Sequence, residues 1–213
     1  MTEFTSKWQE NRSGESSSQR IKEALNPQRD LKKRLVDTDR SLNSQIANLD
    51  KTLARMSEKE KALFNKTSSA FQKHDTTMAH AFANELSEHR KAMKLVEGGK
   101  LSLEQVQLRL RTITDFGDLA NVIAPVGQVV RTVRKNLQSV MPSANDTLSE
   151  INTSLDGMMQ DIGNISGMNL SFDTNGEEAE KILAEASVIA ETKMSGSFPS
   201  IPDISDQTTN TSI

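Results

Sequence analysis

The apolar residues between Leu42 and Leu63 fall into a pattern that few folds accommodate. Leu42, Ile46, Leu49, Leu53, Met56 and Leu63 step by 4, 3, 4, 3 and 7 residues, with Leu31 and Leu35 upstream, and the intervening positions are mostly Asp, Lys, Arg, Asn, Gln and Ser. An apolar position every 3.5 residues makes a narrow stripe, the seam of a coiled coil rather than the broad face of a globular helix. A second stripe runs through Met78, Phe82, Leu86, Met93 and Val96, with Ala79, Ala81 and Ala83 beside it. Two consecutive stripes bury each other when the chain folds back between them. Ser57–Lys61 lacks apolar residues, but its Glu and Lys favour helix and the stripe keeps its phase across them. The segment 72–77 (QKHDTT) is a longer apolar gap of poorer helix formers, and Asp75 or Thr76 can cap the next helix. The spacing therefore predicts a turn at about 73–76 between two arms of roughly 60 Å, at 1.5 Å of rise per residue.

Composition supports an all-α chain. Gly and Pro number 10 and 5 in 213 residues, and the aromatics are seven Phe, one Trp and no Tyr. A sandwich or barrel needs more turns and more β-favouring aromatics than that. With 35% hydrophobic residues, the core is expected to be thin. The absence of Cys removes disulfides, Cys-ligated zinc and thiol nucleophiles. No apolar run approaches the roughly 18 residues of a membrane span. The opening MTEFTSKWQENR has no signal-peptide pattern, so a cytoplasmic location is expected. Charge order says more than the net charge of −3. Residues 1–140 hold 24 Lys and Arg against 17 Asp and Glu, whereas residues 141–213 hold 2 against 12. That split points to an anionic partner and to an acidic segment of the chain that can imitate it.

Four segments follow. Residues 1–20 are Ser-rich and read as a flexible lead-in whose only bulky groups, Phe4 and Trp8, share one side of a helical turn and can insert at a membrane interface. Residues 21–141 form a basic helical core. Gly98-Gly99 interrupts its second arm, and Ser102 with Gln105 offers a new capping box. Pro125 is expected to kink or end a helix at Ala124, and Pro142 to end the next at Met141. Gly98, Gly99, Pro125 and Pro142 are thus candidate hinges. Residues 142–195 read as acidic helices, and 196–213 as a partly disordered Ser/Thr/Pro tail. Catalytic chemistry is not signalled. Gly98-Gly99-Lys100 lacks the earlier Gly of a phosphate loop, and His74, His80 and His89 fit neither HExxH nor a di-iron spacing. No enzyme activity, metal or cofactor is expected.

The run LSLEQVQLRLRTITDFGDLANVIAPVGQVVRTVRKNLQSVMPSANDTLSEI, residues 101–151, resembles the archaeal cell-division group of ESCRT-III-like proteins, the CdvB group. The marks are GG-x-LS-x-EQ, the FGDL segment, the AP break, and VMP before an amphipathic helix. Residues 28–97 are similar to that family's basic helical hairpin, and the likeness covers roughly 25–205. In the tail, Phe198-Pro199-Ser200-Ile201-Pro202 resembles the motif that docks on the N-terminal domain of an AAA ATPase of the CdvC and Vps4 class. Two prolines hold such a segment extended while Phe198 and Ile201 supply apolar anchors. Phe198 stands where an aliphatic residue is usual. Some members carry a C-terminal winged-helix domain; none fits before Ile213, so the resemblance implies a shorter paralogue or a lineage that recruits differently.

The resemblance implies a protein that polymerises with itself or with paralogues on a membrane, constricts or severs the neck in cell division, and is disassembled by that ATPase. It implies a place on the inner face of the cell membrane at mid-cell. Lys32, Lys33, Arg34, Arg40, Lys51, Arg55 and Lys59 line the first arm and are candidate contacts to anionic headgroups. Nucleic acid is disfavoured because no aromatics interleave the cations. The alternative reading is a cytosolic coiled-coil scaffold or adaptor that remodels nothing.

Overall fold

The first stripe becomes one uninterrupted helix. In a computed structural model of the chain, residues 27–113, 116–166 and 176–199 are described. Helix α1 spans Pro27–Gln72 and α2 spans Thr76–Arg111. They are followed by α3 (Phe116–Leu137), a 3-10 turn at Pro142–Ala144, α4 (Asn145–Ser166) and α5 (Gly176–Ser197). Pro27 at the first position of α1 suits a site whose N–H has no helical partner. The fold is all-α, and no strand occurs among the described residues.

The turn between the arms occupies Lys73–Asp75. His74 takes a left-handed φ of 56° and Asp75 accepts a hydrogen bond from the Met78 backbone N–H at 3.0 Å. That cap starts α2 and leaves Met78 45% exposed, with Ala79 facing α1 instead. The second stripe thus begins one residue later than its spacing predicts. Leu42, Ile46, Leu49, Leu53 and Leu63 of α1 are buried, as are Leu86, Met93 and Val96 of α2.

Among the described residues four ion pairs cross the hairpin, and three of them are placed symmetrically about Asp75. Arg111 grips Asp39 through two bonds of 3.1 and 3.2 Å, Lys100 meets Asp50, and Arg90 meets Glu60. In these three α1 supplies the acid and α2 the base, whereas Lys59 of α1 and Glu85 of α2, 3.5 Å apart, reverse that order. Glu60 and Arg90 are the most enclosed, with side chains 6% and 16% exposed. Arg90 Nε donates to Glu60 Oε1 at 2.8 Å. Burial alone would push the Lys100 ammonium down, but its hydrogen bond to Asp50 and the charges of Glu97, Glu104 and Asp50 hold it above the usual lysine value. The ring of His89 bonds the Met56 carbonyl at 2.8 Å, an interhelical role.

Three expected helix breaks lie elsewhere. Helix α2 runs unbroken through Gly98-Gly99, and Ser102 donates to the Gly98 carbonyl at 2.8 Å from mid-helix rather than capping a new one. A Cβ on Gly99 would stand 3.2 Å from Leu137 Cδ1 of α3, and one on Gly98 would stand 3.8 Å from Ala190 Cβ of α5. Gly99 serves close packing against Leu137, which offsets a helix-propensity cost of about 1 kcal/mol, whereas Gly98 has room for a methyl. Pro125 sits inside α3 and is buried. The carbonyl it deprives of a partner belongs to Asn121, which is exposed, so water can complete it. Helix α3 ends at Leu137, where the Met141 N–H bonds its carbonyl at 2.7 Å, and Pro142 opens the 3-10 turn.

The core thickens along the hairpin. Near the turn only α1 and α2 cover each other. Toward the other end, Ile123, Val126, Val130 and Val133 of α3 join Leu148, Ile151, Leu155 and Met158 of α4 and Leu103, Val106 and Leu110 of α2 in one cluster. Thr38 and Ser154 share a hydroxyl bond of 2.9 Å, and Arg34 meets Asp161 at 2.9 Å, fastening α4 to α1.

Candidate functional site

Helix α5, in the acidic last third of the chain, lies on the second arm. Helix α5 runs antiparallel to α2 and presents Ala179, Ile182, Ala186, Ala190 and Met194 as its buried seam, with steps of 3, 4, 4 and 4. Three of those five are alanine, so the backbones approach closely, closest where Gly98 meets Ala190. Only Ile182 and Met194 bury large side chains, worth about 1.5–3 kcal/mol each. Charge pairs flank the seam along its length. Arg109 holds Glu178 at the start of α5; Lys94 holds Glu191, and Lys193 holds Glu97, near its end. The Lys94 ammonium, through its hydrogen bond and charge, keeps the exposed Glu191 carboxyl below the usual range. Glu97 is buried in α2, so Lys193 supplies the counter-charge it would otherwise lack.

The chain leaves α5 across the same surface. Phe198 is half-buried with the Arg90 guanidinium 4.7 Å from its ring centroid, and Arg90 Nη2 donates to the Pro199 carbonyl at 2.9 Å. With Leu53, Phe64, Met93 and Met194 the two residues line a groove of about 570 Å³. Ile201 and Pro202 lie outside the described residues, as do Phe4 and Trp8.

The seven candidate membrane cations on α1 are all exposed. Arg34 pairs with Asp30 and Asp161, Arg40 with Asp37, and Lys59 with Glu85. Arg55 donates to the Lys51 carbonyl and the Thr52 hydroxyl. Lys33, Arg40 and Lys51, at steps of 7 and 11, line one side of α1 away from the seam with α2. The structure therefore leaves a basic stripe on α1 uncovered while it covers the cations Arg90, Lys94 and Arg109 of α2. Those covered cations were not among the sequence candidates. Pairing the chain about Asp75 would have found Arg90, because that fold-over sets it opposite Glu60. Among the described residues no cluster of His, Asp and Glu is placed to hold a metal ion, and no helix is long and apolar enough to cross a membrane.

Comparison with known proteins agrees with this architecture. The chain matches the Snf7 family over residues 37–205. It is 37% identical over 172 residues to Cell division protein B1 of Sulfolobus acidocaldarius, covering 81% of this chain and 80% of that one. It is 26% identical over 172 residues to Cell division protein B of the same organism, covering 81% of this chain and 66% of that one. No solved structure matches it significantly.

Proposed function

The chain belongs to the Snf7 family, as an archaeal ESCRT-III-type protein of the CdvB group, and from that premise we propose that it polymerises on a membrane to constrict or sever the neck in cell division. It is a structural protein, not an enzyme. The observation that carries the reading is the α5 seam. A helix held by three alanines, two larger side chains and flanking ion pairs can leave the hairpin at modest cost, and its departure uncovers Lys94, Arg109 and the apolar floor beneath. Those surfaces would then pair with further copies or with paralogues. The uncovered stripe of Lys33, Arg40 and Lys51, with Lys32, Arg34, Arg55 and Lys59 around it, would face anionic headgroups at about 1 kcal/mol per cation near the surface. Phe4 and Trp8 would add an apolar anchor. Opening would pivot at the joint between α3 and α4, where Pro142 stands. Phe198, Pro199, Ile201 and Pro202 would recruit an AAA ATPase that pulls subunits from the polymer. The working place is the cytoplasmic face of the cell membrane at mid-cell.

The test is electron microscopy and co-pelleting of the full chain with vesicles of graded anionic-lipid content. Polymers that coat or tubulate vesicles, with binding that falls as salt rises, are expected. Discrete dimers on or off vesicles, or binding indifferent to salt and lipid charge, would favour a passive scaffold. For the tail, Pro199→Asp with Ile201→Asp should abolish binding of the ATPase N-terminal domain; unchanged affinity would refute the motif.

A further inference from the structure

The outer third of the hairpin has a flank that no other described element covers. Lys59, Lys66 and Lys73 follow one another at steps of seven along the first arm, so they share one side of it. Thr38 and Gln45 stand in the same column and are buried, Thr38 against Ser154 of α4. Toward the turn the column becomes lysine, and exposed. Beside it on α2 are Met78, an exposed apolar side chain, and Phe82, half-buried. The Lys66 ammonium stands 5.8 Å from the Phe82 ring centroid. With Ser69 and Lys73 these side chains line a crevice of about 380 Å³, walled by the two arms and their turn alone.

We propose that this flank of the hairpin tip is a second membrane contact, in which Lys66 and Lys73 meet lipid phosphates while Met78 and Phe82 enter the boundary between headgroups and acyl chains. The proposal rests on the reading of the chain as membrane-binding and adds to it a surface other than the back of α1.

Charge and size both select a lipid surface. The one acid lining the crevice is Asp75, and the Met78 N–H already engages its carboxylate. Glu85, next along the flank, is opposed by Lys59. Lys66 and Lys73 therefore leave the flank cationic. Its apolar part is two side chains wide, far short of the roughly 1,200 Å² that a stable protein interface buries. A membrane asks for less, because each cation near an anionic surface is attracted separately. Lysine can lay its stem along apolar neighbours and still carry its ammonium to a phosphate, as Lys66 is placed to do beside Phe82. Methionine is unbranched and flexible, which suits a fluid boundary better than a fixed socket.

The direction of the flank matters as well. Arg40 and Lys51 stand two residues from the seam positions Leu42 and Leu49, which puts them on the back of α1, whereas Lys66 stands three from Leu63 and points sideways. A flat bilayer against the back of α1 does not reach the tip flank. One subunit thus presents two membrane surfaces facing different ways, which a strongly curved bilayer or a second bilayer can engage together.

The test moves the one indole of the chain to the tip, as Met78→Trp in a Trp8→Phe background of the full chain. On phosphatidylglycerol vesicles its emission should shift to the blue and be quenched by bromine on the acyl chains; on phosphatidylcholine neither should occur. Lys66→Gln with Lys73→Gln, both exposed positions, should weaken partitioning onto phosphatidylglycerol about 30-fold at low salt and abolish the shift. A chain that pellets with the vesicles while the indole stays in water overturns the tip contact and leaves the membrane reading standing. A blue shift without bromine quenching means that another copy covers the tip, and overturns it too. So does an equal shift on phosphatidylcholine, or a lysine double variant that binds like the parent. A chain that does not pellet with phosphatidylglycerol at all overturns both readings.

Discussion

Replacing Gly98 and Gly99 one at a time by alanine separates a hinge from a packing notch. The glycines lie mid-helix in α2, where each costs about 1 kcal/mol against alanine in helix propensity. At Gly98 the new methyl would meet only Ala190 Cβ at 3.8 Å, an ordinary contact, so the propensity gain should survive almost whole. At Gly99 the methyl would meet three atoms of Leu137 at 3.2–3.4 Å, and Leu137 is itself buried and unable to swing away. Crowding of that kind costs typically 1–3 kcal/mol, enough to cancel or exceed the gain. The expected order of stability is Gly98→Ala above the parent, and the parent equal to or above Gly99→Ala. In a chain of this size 1 kcal/mol moves the melting midpoint by roughly 2–4 °C, and urea unfolding followed by circular dichroism resolves it. Equal stabilisation by both alanines would show that Leu137 does not press on Gly99. Destabilisation by Gly98→Ala would show that the bare backbone, not merely a small residue, is needed beneath α5.

Further outcomes follow from single contacts. His74→Gly should stabilise the hairpin turn by about 1 kcal/mol, because glycine takes a φ of 56° without the penalty an L side chain bears; no gain in the unfolding midpoint would count against strain at that residue. Ile182→Ala removes the larger of the aliphatic groups α5 buries and should free the helix at a cost of about 2–5 kcal/mol. Hydrogen exchange should then rise in α5 while α1 and α2 stay protected. Glu191 has a depressed carboxyl pKa, so its contribution to docking is present above the ordinary carboxylate range and is lost as pH falls through it. Exchange in α5 should therefore quicken on acidification, and Lys94→Ala should remove the Glu191 part of that dependence.

The hairpin was legible because its signal is local. A seam that keeps phase, a gap in it, and an Asp placed to cap are all read within a few residues. Met78 misled by one position because the cap at Asp75, not the stripe, decides where α2 begins to face α1. The glycine pair misled for a different reason. Its propensity is local, while its neighbours Leu137 and Ala190 lie 38 and 92 positions beyond Gly99 and Gly98. The docking of the acidic third on a basic arm was readable as a charge split. Its alanine seam was not, since Ala at every fourth position is equally at home on an exposed helix.

The three charge pairs placed symmetrically about Asp75 have an effect on association. A slip of one heptad between the arms would leave the apolar stripe in phase, so hydrophobic contact alone tolerates the error. The charges do not. Slipped one way, Glu60 faces Glu97; slipped the other, Asp39 faces Glu104. Either displacement trades an attraction for a repulsion, at Glu60 in an enclosed position. The constraint bears on any antiparallel encounter between an α1 and an α2, including arms that belong to different copies. These three pairs are thus a checksum for alignment, written in Asp39, Asp50 and Glu60 on one arm and Arg90, Lys100 and Arg111 on the other.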